Sequence, residues 1–222
     1  MTNIAESMRR PLIIAIYDPQ WFIHILDSLK KRRIPFTVYE DVNTLPYYGI
    51  LYTDYEYFVN EVKTRNDITV VYDPIHDCKM FERAVLATRF KNEYNEVIFG
   101  IDPGSRYTLV VIGDEDLLDY INASSLSDLM NYLMNHIRCF PSRNTIIRIG
   151  SGVNGWKIAL ALRSKLSTRI EIVDEDETTP KNNRLDEEVL SRKFLMFSKV
   201  KHRYRDIYAA IKIAMRRGIE VD

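Results

Sequence analysis

The sequence predicts an α/β protein built on two unlike sheets, and three observations carry that prediction. Through residues 1–95, short apolar runs alternate with amphipathic stretches, the pattern of a parallel sheet covered on both faces. From Glu96 to Asn122, three apolar runs follow one another across very short turns, which makes them antiparallel neighbours. From Ser127 onward helix and strand alternate again, so the second sheet is mixed. At 222 residues, 46% hydrophobic and 28% charged, the chain has the composition of a globular protein with room for two cores.

In the first half, Pro11–Tyr17, Pro35–Tyr39, Tyr48–Tyr52 and Ile68–Tyr72 read as strands. Gln20–Arg33, Tyr55–Lys63 and Asp77–Asn92 read as the helices between and after them. Asp77 suits a helix cap better than His76-Asp77-Cys78 suits a metal site, because one tripeptide without partners is a weak ligand set. The tyrosines from Tyr47 to Tyr57 are expected to be half-buried packing, with a binding surface as the alternative. In the second half the strands are Glu96–Ile101, Tyr107–Ile112 and Leu117–Asn122, followed by a helix over Ser127–Phe140. Then come the strand Thr145–Ile149, the helix Trp156–Leu166, the strand Arg169–Val173, a polar loop and a last helix beginning near Asp206. No strand pattern follows Val173. Residues 1–95 therefore read as a small N-terminal α/β domain of open role, and 96–222 as a second domain.

Net charge is zero, so a nucleic-acid partner has to be met by a local basic patch. Cys78 and Cys139 lie far apart without a CxxC spacing and read as buried thiols in a reducing compartment. The apolar run after the N-terminal arginines stops at Asp18, too short for a membrane span and without a cleavage site. Together these give a cytoplasmic expectation and no membrane partner.

Six of the eight glycines fall within residues 100–155. Gly150-x-Gly152-x-x-Gly155 follows a strand and opens a helix, as a dinucleotide-binding turn does. A two-halved nucleotide-binding sheet, however, has that turn after its first strand, with further strand–helix units behind it. Here it follows the fourth strand of its half and only one strand comes after it. A tight strand-to-helix crossover accounts for the glycines equally well, and its amides (Gly150, Ser151, Gly152) still suit a phosphate.

The run Gly100-Ile101-Asp102-Pro103-Gly104-Ser105-Arg106, with Thr108, resembles the first-strand motif of the RuvC Holliday-junction resolvases of the ribonuclease H-like superfamily. Val173-Asp174-Glu175-Asp176-Glu177-Thr178-Thr179 is similar to the acidic segment after the fifth strand in the YqgF branch, and Asp206 to Ala214 resembles the opening of its last helix. The resemblance covers about residues 96–217 and implies a ribonuclease H-like mixed sheet: three antiparallel strands, then two parallel crossovers. It implies catalytic, magnesium- or manganese-binding roles for Asp102, Glu175 and Asp206, with Asp174 as a further candidate ligand. The implied activity is metal-dependent phosphodiester hydrolysis in structured DNA or RNA, carried out by a homodimer where a four-way junction is cut. The chain departs from the pattern at three places. Asp176 replaces an arginine, Ala209 replaces a second helix aspartate, and Gly150-Ser151 has no acid where RuvC has a glutamate.

Those departures keep a second reading open, a catalytically inactive nucleic-acid-binding or scaffold protein. A third, lower reading is ATP or NAD binding through the glycine loop. Phosphate contacts are expected from Arg106 and from the basic, aromatic-interleaved segment containing Lys199, Lys201, Arg203 and Arg205.

Overall fold

The computed structural model describes residues 9–104, 106–152, 154–174 and 205–221. The chain divides into two compact units, one of residues 1–94 and 135–141, the other of residues 95–134 and 142–222.

In the first unit β1 (Leu12–Ala15), β2 (Thr37–Val38), β3 (Ile50–Thr53) and β4 (Thr69–Tyr72) form a parallel sheet in the order β2-β1-β3-β4. The period-2 geometry of β1 sends Leu12 and Ile14 to one core, and Ile13 and Ala15 to another on the opposite face. Helix α1 (Pro19–Lys31) begins where Asp18 caps the Trp21 amide, with proline at its first position. It contributes Ile25 and Leu29 to the first core, joined by Phe81, Ala84 and Val85 of α3 (Cys78–Ala87). Helix α2 (Glu56–Glu61) lies on the other face's side of the chain path, before Val62 enters the second core. Asp77 caps α3 through the Lys79 amide, as its position predicts. Helix α3 stops short of Asn92 because the chain turns into a left-handed conformation at Phe90, with φ 58°.

The cysteines are not separate thiols: Cys78, at the start of α3, is disulfide-bonded to Cys139, with Cα atoms 5.1 Å apart across 61 residues of sequence. Helix propensity through Phe140 hides the break that allows this, since α4 (Leu126–His136) ends before Cys139 and residues 135–141 join the first unit. The tyrosines are also not mainly packing. Tyr52 is fully buried, but Tyr47, Tyr48 and Tyr57 are exposed, because they fall in the turn before β3 and on the outer side of α2.

Among the described residues the second unit holds a six-stranded mixed sheet in the order β10-β9-β8-β5-β6-β7. β5 (Tyr94–Pro103), β6 (Tyr107–Gly113) and β7 (Asp116–Ala123) are antiparallel neighbours, and β8 (Ser142–Gly150) pairs in parallel with β9 (Arg169–Val173). The two-residue turn at Asp114-Glu115 has positive φ at both residues, the mirror-image turn that matches strand twist. Helix α5 (Gly155–Arg163) makes the crossover from β8 to β9. Helix α6 (Arg205–Met215) lays Ile207, Ala210, Ile211 and Ala214 on Ile98, Val110 and Ile112. These are the three antiparallel strands and two crossovers that the sequence implies, and the fold is α/β with one parallel and one mixed sheet. The strand β10 (Ile219–Glu220), antiparallel to β9, was not expected; two residues, one of them an exposed isoleucine, carry no readable pattern.

Candidate functional site

The candidate site is built by the carboxyl ends of β5 and β9 and the amino end of α6. β5 and β8 are neighbours in the sheet. Tyr94, the first residue of β5, donates its amide to the carbonyl of Pro141, the residue just before β8, at 2.8 Å, so the two strands start together and run in the same direction. Asp102 is the next-to-last residue of β5, partly buried, opposite Thr108 of β6. The Thr108 hydroxyl is taken up by Asn122 at 2.8 Å. A β-carbon built on Gly104 would sit 3.8 Å from Asp102 Oδ1, so the carboxylate leans over the proline–glycine turn.

Helix α6 is set against β5 at Gly100, where a β-carbon would lie 2.6 Å from the Ala210 carbonyl and 2.5 Å from Ala214 Cβ. Its far end, with Met215 and Arg217, lines a cavity of about 330 Å³ with Glu96 and Ile98 at the start of β5. The helix therefore runs antiparallel to β5, and Asp206, exposed in its first turn, lies toward the end of the sheet where β5 delivers Asp102. Asp174 follows β9 directly and is exposed at that same carboxyl end, since β9 is parallel to β8. Arg106 is exposed in the turn after Asp102.

A buried ion pair braces this frame. Arg148 on β8 donates from Nε to Glu171 Oε2 at 2.8 Å and from Nη1 to the Ala214 carbonyl at 2.6 Å. It thus ties two strands to the last turn of α6, where a cation complements the helix dipole. Burial acts to raise the Glu171 carboxyl, but the hydrogen bonds from Arg148 and the Gly218 amide, with the charges of Arg148 and Arg169, leave it below its ordinary value.

The glycine loop is a tight crossover. The Ser151 amide donates to the Val173 carbonyl at 2.8 Å, and the Gly155 amide to Gly152 at 2.7 Å. A β-carbon on Gly155 would lie 2.0 Å from the Gly150 carbonyl oxygen, so the third glycine is required by the approach of α5 to the strand it leaves. Trp156 turns outward and is half exposed.

Asp102, Asp174 and Asp206 are thus at one end of one sheet. Glu175, Lys199, Lys201, Arg203 and the Arg205 side chain lie outside the described residues. Among the described residues, no three His, Cys, Asp or Glu side chains come close enough to hold a metal ion together. None of the described helices is long and apolar enough to cross a membrane.

Sequence reasoning missed a polar network at the carboxyl edge of the first sheet. The buried Asp54 side chain, following β3, accepts from the Tyr17 and Asp18 amides at 2.7 and 3.0 Å and meets His76 Nε2 at 3.1 Å. The Trp21 ring stacks with both His24 and His76, and its Nε1 donates to the Tyr52 hydroxyl, which donates to Asp73 at 2.6 Å. Burial, then the bond to Asp73, pushes the Tyr52 phenol far above its usual range. Asp54 and Asp73 directly follow β3 and β4, and Asp18 comes three residues after β1, a pattern visible in the sequence but shared with ordinary turns.

No protein-family model matches the chain, and no curated protein does. Among solved structures, Marinitoga piezophila Argonaute in complex with 5′ OH guide RNA is similar at 10% identity and a TM-score of 0.28, over 75% of this chain and 40% of that one. A. aeolicus Argonaute is similar at 9% identity and a TM-score of 0.25, over 75% of this chain and 34% of that one. The chain thus spans less than half the length of either, and its architecture is read from its own strand order.

Proposed function

We propose that the second unit is a metal-dependent nuclease of the RuvC/YqgF type that hydrolyses phosphodiesters in structured DNA or RNA. The observation that supports this reading is the arrival of Asp102 and Asp206, 104 positions apart in sequence, at one end of one sheet on oppositely directed elements. Carboxylates brought together raise one another's pKa and are stable as anions mainly beside a cation. The donor set, all carboxylate oxygen, suits magnesium or manganese; Asp102 and Asp206 with Glu175 would hold it, since Asp102, Asp174 and Asp206 do not by themselves converge on one ion. Such an ion would supply Lewis-acid stabilisation of the phosphoryl oxygens and a water of lowered pKa. The chain's own part is to fix the carboxylates on a strand end and a helix start, and to hold the strand of nucleic acid. Arg106 would take phosphates, as would Lys199, Lys201, Arg203 and Arg205, whereas the Ser151 amide of the glycine loop already donates to the Val173 carbonyl. In the reaction water oxygen bonds to phosphorus, the phosphorus–oxygen ester bond breaks, and the leaving oxygen takes up a proton.

The test is cleavage of a labelled four-way junction and of a structured RNA with manganese present. Asp102→Asn is expected to abolish cutting while circular dichroism and the melting point stay as in the parent. Undiminished cutting by that variant rejects the assignment.

A second reading, nucleic-acid binding without cleavage, is favoured by Ala209 on α6 and by the acid-free end of β8 at Gly150-Ser151. It predicts salt-sensitive binding of the junction and no product with any divalent cation.

A further inference from the structure

We infer that the amino-terminal edge of the first sheet is a docking surface for single-stranded nucleic acid, separate from the carboxylate end of the second unit. Three large rings are exposed there: Tyr47 (78%), Tyr48 (69%) and Phe90 (69%). They rim a cavity of about 550 Å³ that Arg9 and Arg10 also line, and those two arginines with Arg89 line a neighbouring cavity of about 210 Å³.

The backbone supplies the first argument. Tyr48 and Phe90 sit at φ 57° and 58°, the left-handed region where glycine is favoured and a bulky side chain is strained. Their rings point into solvent, so burial does not offset that strain. At Phe90 the left-handed backbone ends α3, yet neither position requires an aromatic side chain for its turn, so two exposed rings are kept where glycine would serve the backbone better.

Charge supplies the second. The Arg10 guanidinium is held by the Tyr48 and Gly49 carbonyls and the Thr69 hydroxyl, at 2.6, 3.3 and 2.6 Å, all neutral acceptors. Its position is therefore fixed while its positive charge is left uncancelled by these contacts. It lies 5.8 Å from the Phe90 ring centre, and Arg65 lies 5.5 Å from that of Tyr47. Asp67 cancels Arg65, which by its hydrogen bonds draws the Asp67 carboxyl down to about 2. Rings backed by guanidinium planes beside a net positive charge fit unstacked bases on a phosphate backbone. A duplex offers no free base faces, and an acidic peptide offers charge without them.

The experiment measures fluorescence anisotropy of the full chain in EDTA, so that metal-dependent cutting plays no part. The probes are a labelled 15-nucleotide single-stranded DNA, its RNA counterpart, the DNA duplex and polyglutamate. The double variant Tyr48→Gly/Phe90→Gly is expected to weaken binding of both single strands by roughly tenfold or more, from lost stacking. Its melting point should hold or rise, because the strained side chains are gone. Arg9→Ala should lower the salt slope by about 0.7. A DNA-to-RNA ratio far from one names which strand is the occupant. The inference is overturned if the glycine double variant binds single strands as the parent does, or if polyglutamate binds as tightly as the oligonucleotides. The nuclease reading is scored by junction cutting in manganese and this one by the affinity of the glycine double variant in EDTA, so failure of one and of the other are told apart.

Discussion

Gly100 and Ala214 meet where strand β5 passes under helix α6, so closely that a β-carbon on Gly100 would lie 2.5 Å from Ala214 Cβ. Beneath it the Ala210 carbonyl would be 2.6 Å away, and backbone cannot step aside as a flexible side chain can. The small–small contact sets the height of α6 over the sheet and hence where Asp206 stands relative to Asp102. Gly100→Ala is expected to force the helix outward and cost about 1–3 kcal/mol, read as a lowered urea midpoint. A loss under about 0.5 kcal/mol, the range of neutral surface changes, would mean that α6 slides freely and does not fix the acid.

Binding of a divalent cation at the carboxylate end should be visible without any nucleic acid. An ion that binds only the folded chain raises stability by about 2.7 kcal/mol at a hundredfold excess over its Kd. Manganese is therefore expected to raise the melting point of the parent, and Asp206→Asn to remove most of that shift. The same variant loses only about 0.3–1 kcal/mol of helix-dipole stabilisation in metal-free buffer, so the two effects separate. An equal manganese shift in parent and variant would exclude Asp206 from the ligand set.

The Cys78–Cys139 bridge joins α3 to the segment after α4 and closes a long loop. Constraining a loop of that length removes unfolded-chain entropy worth about 4 kcal/mol. Reduction, or the double change Cys78→Ser/Cys139→Ser, is expected to lower the melting point markedly while the second unit's β-sheet signal persists to higher temperature. Identical melting curves with and without reductant would contradict the bridge.

The sequence was most legible where the local pattern and the tertiary environment agree. Leu12 to Ala15 is apolar throughout because both faces of β1 are covered, and the short turns at Pro103-Gly104 and Asp114-Glu115 dictate antiparallel neighbours. Asp102 could be singled out because a motif ends a strand there. What stayed hidden depends on long-range partners. Cys139 looks like the tail of a helix, and only the folded chain brings it to Cys78. His76 reads as a turn residue before a cap, yet its ring lies between the Asp54 carboxylate and the Trp21 indole. Tyr48 and Phe90 carry no local sign that their backbone is left-handed, since nothing in an aromatic residue announces positive φ.

The buried pair Arg148–Glu171 makes stability depend on pH in a way whose sign follows from the lowered Glu171 carboxyl. A depressed folded-state pKa means that the pair's contribution is complete above the unfolded value of about 4.3, and is lost as pH falls through the lower folded value. Urea midpoints taken from pH 7 down to pH 2 should hold until about pH 5, then drop. Glu171→Gln leaves the Arg148 cation buried with the Ala214 carbonyl but no carboxylate, which is expected to cost about 3–5 kcal/mol at neutral pH and to flatten the acid limb. Replacing both partners, as Arg148→Met/Glu171→Leu, should recover most of that loss, since the greater part of it is the penalty of one unpaired buried charge. Acid limbs of equal depth in parent and Glu171→Gln would assign the titration to other carboxylates. Failure of the double variant to recover would instead make the Arg148 bond to Ala214, and with it the seating of α6, the larger part of the pair's role.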